Sequence, residues 1–134
     1  EELSSKHGYR PIFVKISPDE SSDSLRDICA SILANDLDGI IVSNTTVNHS
    51  DPNGSGGLSG KPLKKRATDM LIQVRKLIGD KLPIIASGGV MTSEDYMEKI
   101  NAGANLVQLY TGFIFEGPKL IHEIVNMDSK VRNT

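Results

Sequence analysis

Short apolar runs alternate with longer amphipathic stretches along this chain. The runs occupy 11–16 (PIFVKI), 39–43 (GIIVS), 83–86 (PIIA) and 105–110 (NLVQLY). Their length and aliphatic content predict strands covered on both faces. Between them the apolar positions recur at helical spacing. Leu25, Ile28, Cys29, Ile32 and Leu33 form one such stripe; Ser21 or Ser22 can cap its helix, and Asn35-Asp36 closes it. Met70, Leu71, Val74, Leu77 and Ile78 form a second, over 64–79, with Gly79 at its end. A third helix opens at Thr92 or Ser93, has Glu94 and Asp95 in its positively polarised first turn, and ends at Gly103. A fourth begins at Gly117-Pro118 and turns Leu120, Ile121, Ile124 and Val125 inward. A loop over about 47–63, rich in Gly, Ser, Asn, Asp and Pro, interrupts the rhythm. Loops of that length without regular structure are usually functional or disordered.

Strand and helix thus repeat about four times, which predicts an α/β fold with a parallel sheet under helices. A complete (β/α)8 barrel needs about 250 residues, and the chain has 134. The first ten residues (EELSSKHGYR) read as the tail of a preceding helix. The expected architecture is therefore the C-terminal half of a TIM (β/α)8 barrel, one partial domain over 1–134.

Composition narrows the function only by exclusion. A net charge of −2 offers no basic face for nucleic acid. No apolar run approaches the roughly 20 residues that span a bilayer. Cys29 is the single cysteine and falls on a buried helical stripe. His7, His49 and His122 stand apart, so no metal site is expected.

The candidate chemistry lies where the strands end. Lys15 sits between Val14 and Ile16 and points opposite to both. Inside a barrel its ammonium needs a partner, and it would stabilise negative charge on an electron-accepting ring; otherwise it lies on an outer strand face. Ser43-Asn44-Thr45-Thr46 offers an amide and hydroxyls to a planar ligand with carbonyl and N–H groups, or simply forms a capped turn. Gly56-Gly57-Leu58-Ser59-Gly60-Lys61-Pro62-Leu63 lets backbone approach a ligand, but it matches neither the Walker P-loop nor the dinucleotide spacing. Ser87-Gly88-Gly89 and Leu109-Tyr110-Thr111-Gly112 end the last two strands. Barrels with a phosphate site commonly build it from the loops after their last two strands. Backbone N–H groups there, with the Thr111 hydroxyl, would hold phosphate oxygens; each segment is otherwise a tight turn.

The series VKISPD, DGIIVSNTT, GGLSGKPL, PIIASGGV, EKINAGANLVQLYTG and FEGP, in this order over most of 11–127, resembles the class 2 dihydroorotate dehydrogenases. These are the membrane-associated, quinone-linked group. The resemblance implies an FMN enzyme of pyrimidine synthesis that oxidises dihydroorotate to orotate and passes electrons to quinone. It implies FMN contacts at Lys15, Ser43, Ser59 and Gly60, and an FMN phosphate cradle at Gly88, Gly89, Leu109, Tyr110 and Thr111. It implies substrate contacts at Asn44 and Thr45, with Asn44 the better partner for orotate. The family's serine base, its first flavin contacts and the N-terminal helices of its quinone tunnel and membrane anchor have no counterpart here. No catalytic base is therefore expected in this chain, and on its own it is expected to be inactive. Two other readings stay open: another FMN-dependent TIM-barrel oxidoreductase, and a non-catalytic half-barrel that binds phosphate.

Overall fold

A computed structural model describes residues 8–50 and 56–132. Four parallel strands lie in chain order: β1 (Phe13–Ile16), β2 (Gly39–Val42), β3 (Ile84–Ser87) and β4 (Leu106–Gln108). Five α-helices accompany them: α1 (Ser22–Ala34), α2 (Lys64–Ile78), α3 (Ser93–Asn101), α4 (Thr111–Glu116) and α5 (Pro118–Arg132). A 3-10 turn, Lys61–Leu63, leads into α2.

The register sets which side chains share a face. Lys15 pairs with Ile41, Ile41 with Ile85, and Ile85 with Leu106. Alternation sends the residues between them the other way. Ile16, Ile40, Val42, Ile84 and Ala86 pack on Leu25, Cys29 and Ile32 of α1 and on Met70, Leu71, Val74 and Ile78 of α2. A second cluster joins Val90 to Leu120 and Ile124 of α5, with Tyr96, Val107 and Leu109 against it. The opposite face of the sheet carries no helix among the described residues: Lys15, Leu106 and Gln108 are exposed there.

The helix starts follow from side-chain capping. Ser21 Oγ accepts the Ser24 N–H at 3.1 Å. Thr92 Oγ1 accepts the Asp95 N–H at 3.2 Å, while Asp95 Oδ2 accepts the Thr92 N–H at 3.1 Å, a reciprocal capping box. Each choice left open by the sequence thus falls to the earlier residue. Cys29 is buried, and burial pushes its thiol up.

The structure also corrects the sequence reading. The strands are shorter than the apolar runs at 11–16 and 105–110. Ile121 and Val125 do not face inward; they are 44% and 54% exposed, because α5 packs through Leu120 and Ile124. Leu77, assigned to the buried stripe of α2, is 40% exposed at that helix's last turn. The short helix α4, which follows β4 directly, was not foreseen. Residues 1–7, read as the end of an earlier helix, lie outside the described residues.

Candidate active site

The C-terminal ends of the strands border a cleft of about 100 Å³, partly open to solvent. Lys15 enters it from β1, and Ser43, Asn44 and Thr45 from the loop after β2. Ser59, Gly60 and Leu63 come from the glycine-rich segment. Ser87, Gly88, Gly89 and Val90 come from the end of β3 and its loop, and Gln108, Tyr110, Thr111 and Gly112 from β4 and the start of α4. Each residue for which the resemblance implies an FMN or substrate contact lines this cleft except Leu109, which packs beside Val90, Leu120 and Ile124; of the polar and glycine-rich segments, Thr46, Gly56, Gly57, Leu58, Lys61 and Pro62 also lie off its wall.

Local hydrogen bonds hold the rim. The Val42–Ser43 peptide is cis. The Ser43 N–H donates to Ser87 O at 3.0 Å and the Asn44 N–H to Ile16 O at 2.8 Å, so this segment ties the ends of β1 and β3 together. Asn44 Oδ1 accepts the Thr45 N–H at 2.9 Å. That bond orients the carboxamide and leaves its NH2 group to donate elsewhere. Across the cleft the Ser59 and Thr111 hydroxyls share a hydrogen bond of 2.9 Å, joining the glycine-rich segment to α4.

Two networks that the sequence reading missed support these segments. In the first, the Asp19 carboxylate accepts hydrogen bonds from the Thr46 hydroxyl at 2.5 Å and the Val47 N–H at 2.8 Å, and is paired with Arg66. Burial alone would raise its pKa, but these hydrogen bonds and the Arg66 charge outweigh burial and lower it. Thr46 also exchanges backbone hydrogen bonds with Leu58, at 3.2 and 2.8 Å. Both ends of the long loop are thereby fixed beside Asn44 and Thr45.

The second network lies behind Gly88 and Gly89. Lys64 Nζ bridges Asp95 at 2.5 Å and Glu98 at 2.8 Å. Lys99, with no exposed surface, donates to Thr68 Oγ1 at 2.6 Å and to Lys64 O at 3.3 Å. Burial pushes its ammonium down to about 8, against the pull of neighbouring carboxylates. Periodicity could not find these groups, because charged residues on a helix normally signal a solvated face.

The donor set is informative. Among the described residues the lining of the cleft includes one ammonium, one carboxamide of Asn, one of Gln and several hydroxyls, but no carboxylate. The chain as a whole carries −2, yet the described lining of this cleft holds no negative charge. Backbone from Gly60, Gly88, Gly89 and Gly112 forms part of the wall. Such a surface favours an anion with planar polar groups. Among the described residues no cluster of three His, Cys, Asp or Glu could hold a metal ion.

The sequence profile of the family described as Dihydroorotate dehydrogenase matches residues 2–129. The chain belongs to the dihydroorotate dehydrogenase family. A dihydroorotate dehydrogenase (quinone) of Vibrio parahaemolyticus is 46% identical over 131 residues, covering 92% of this chain and 39% of that protein. Its counterpart in a Chelativorans species is 51% identical over 121 residues, covering 87% of this chain and 33% of that protein. A DHODH of Eimeria tenella, solved in complex with ferulenol, superposes with a TM-score of 0.84 at 36% identity, covering 92% of this chain and 34% of the other. The chain therefore spans between a third and two fifths of the length of these relatives. Its parallel sheet and helices are consistent with part of the family's TIM barrel, as the sequence pattern predicted.

Proposed function

We propose that this chain forms the FMN-binding and part of the substrate-binding wall of a quinone-linked dihydroorotate dehydrogenase, which oxidises dihydroorotate to orotate in pyrimidine synthesis. One observation carries the reading: Lys15, Asn44 and Thr111, from three separate strand ends, converge on one cleft without a carboxylate. The residues fit the cofactor's chemistry. Gly88, Gly89, Tyr110 and Thr111 would hold the phosphate with backbone N–H groups and a hydroxyl. Ser43, Ser59 and Gly60 would line the flavin, with Leu109 supporting the cradle from behind through its packing on Val90. FMN, when bound, would supply a two-electron acceptor. Lys15 places a positive charge on the wall where that acceptor's ring would lie. Asn44, its oxygen held by Thr45, directs its NH2 at the pyrimidine, and Thr45 borders the same space. The resemblance to the family puts the general base, a serine, on another segment of the barrel. Quinone reduction and membrane association are proposed for the whole protein through segments other than this one. No helix of the described residues is long and apolar enough to cross a membrane.

The test uses a polypeptide that carries this chain together with the remaining strands of the barrel, termed below the whole-barrel protein. FMN titrated into its flavin-free form should bind stoichiometrically, and riboflavin, lacking the phosphate, more weakly. Equal affinity for the two would remove the phosphate cradle. In the same protein, Asn44→Ala should weaken orotate binding by about 1–3 kcal/mol, the cost of one or two buried hydrogen bonds, and leave FMN affinity unchanged. Calorimetric titration reads both; undiminished orotate affinity would take Asn44 out of the substrate site.

A further inference from the structure

The largest fully buried side chain in the described structure belongs to a lysine. An ammonium with no exposed surface is costly unless its hydrogen bonds are satisfied. Lys99 directs both of its hydrogen bonds at a single target, the start of α2. It donates to Thr68 Oγ1 and to Lys64 O, and Thr68 Oγ1 itself donates to Lys64 O at 3.0 Å.

That helix start is the floor beneath Gly88 and Gly89. A β-carbon added at Gly89 would lie 2.2 Å from Lys64 Cα, and one at Gly88 would lie 2.8 Å from Leu63 Cδ2. The backbone of the loop therefore rests directly on residues 63 and 64. Asp95 holds the far end of the same loop, accepting the N–H groups of Met91 at 2.9 Å and Thr92 at 3.1 Å while it pairs with Lys64. Lys99 and Lys64 thus lock α3 to the start of α2, and the loop is trapped between them.

Two ways of acting on a bound phosphate can be separated. The network holds two ammonium groups, Lys64 and Lys99, and two carboxylates, Asp95 and Glu98. Their charges cancel, so the field they project is that of a compact neutral group and falls off steeply. Position remains: the network fixes where the Gly88 and Gly89 backbone lies. We propose that Lys99 is a positioning residue for the phosphate-holding loop, acting through the first turn of α2 without touching the ligand. This rests on the proposed phosphate cradle.

Lys99→Met keeps the length of the side chain and removes the charge and all three donors. In the whole-barrel protein it should weaken FMN binding about tenfold, the equivalent of roughly one charged hydrogen bond to phosphate. Riboflavin has the same ring and ribityl chain without the phosphate, and its affinity should stay within about twofold of the parent. Equal losses for both ligands would mean general loosening and would overturn the proposal; so would an unchanged FMN affinity in a folded variant. Should Lys99→Met fail to fold, Thr68→Val decides the matter: it removes one acceptor of Lys99 at nearly constant volume, and it should reproduce the selective FMN loss in smaller measure. A parent protein that binds FMN no better than riboflavin would instead discredit the cradle itself, a different result from a variant that fails to discriminate.

Discussion

Gly89→Ala will remove about 2–5 kcal/mol of stability, a large fraction of what a domain holds. Two costs combine. Gly89 has φ of 78°, a conformation that costs an L-residue roughly 1–2 kcal/mol. Its new methyl would also meet Lys64 backbone at 2.2 Å, and overpacking typically adds about 1–3 kcal/mol. The obstacle is main chain at the start of a helix, so it cannot rotate away. Gly88→Ala is the internal comparison. It too has positive φ, 103°, but its methyl would meet the tip of the Leu63 side chain at 2.8 Å, and that tip can move. Urea unfolding of the whole-barrel protein should rank the midpoints parent, Gly88→Ala, Gly89→Ala. A Gly89 variant as stable as the parent would show that the loop does not rest on α2 as described.

Lys15→Ala will slow flavin reduction by dihydroorotate in the whole-barrel protein roughly a hundredfold to a thousandfold, the range found when one preorganised electrostatic donor is removed from an active site. The variant should remain folded, because Lys15 lines the cleft at the end of β1 and takes no part in the core between sheet and helices; far-UV circular dichroism checks this. Stopped-flow absorbance of the flavin band separates the reductive step from reoxidation. A reduction rate equal to the parent's would place Lys15 outside the site.

Much of this site was legible because its parts sit at strand ends. Strand position follows from short Ile- and Val-rich runs, and the polar residues that close them inherit a common rim. That is why Lys15, Asn44, Gly88 and Thr111 could be named without coordinates. What periodicity cannot supply is the width of cover over a helix. Leu120, Ile121, Ile124 and Val125 make one apolar stripe, yet only Leu120 and Ile124 meet the sheet side. Helix α4 escaped because Thr111–Glu116 is too short to show a repeat. Lys99 escaped for a different reason. Its burial depends on Thr68, from a helix 31 residues away in sequence, and no local pattern records a partner at that distance. The same holds for Asp19, whose partners Thr46 and Arg66 come from two later elements.

Sheet order equal to chain order has a kinetic consequence. Among the described residues each strand pairs only with its neighbours in chain order, so assembly of this segment can proceed by successive ring closures rather than one long-range search. Closing entropy rises with the length of chain enclosed. The Val14–Ile40 and Ile85–Leu106 pairings enclose short segments, whereas Ile40–Ile84 encloses α2 and the glycine-rich loop together. Docking β3 on β2 is thus the entropically dearest closure. It is also the event that brings the Ser43 N–H to Ser87 O, so the costliest closure is the one that joins the rim of the cleft across β2 and β3.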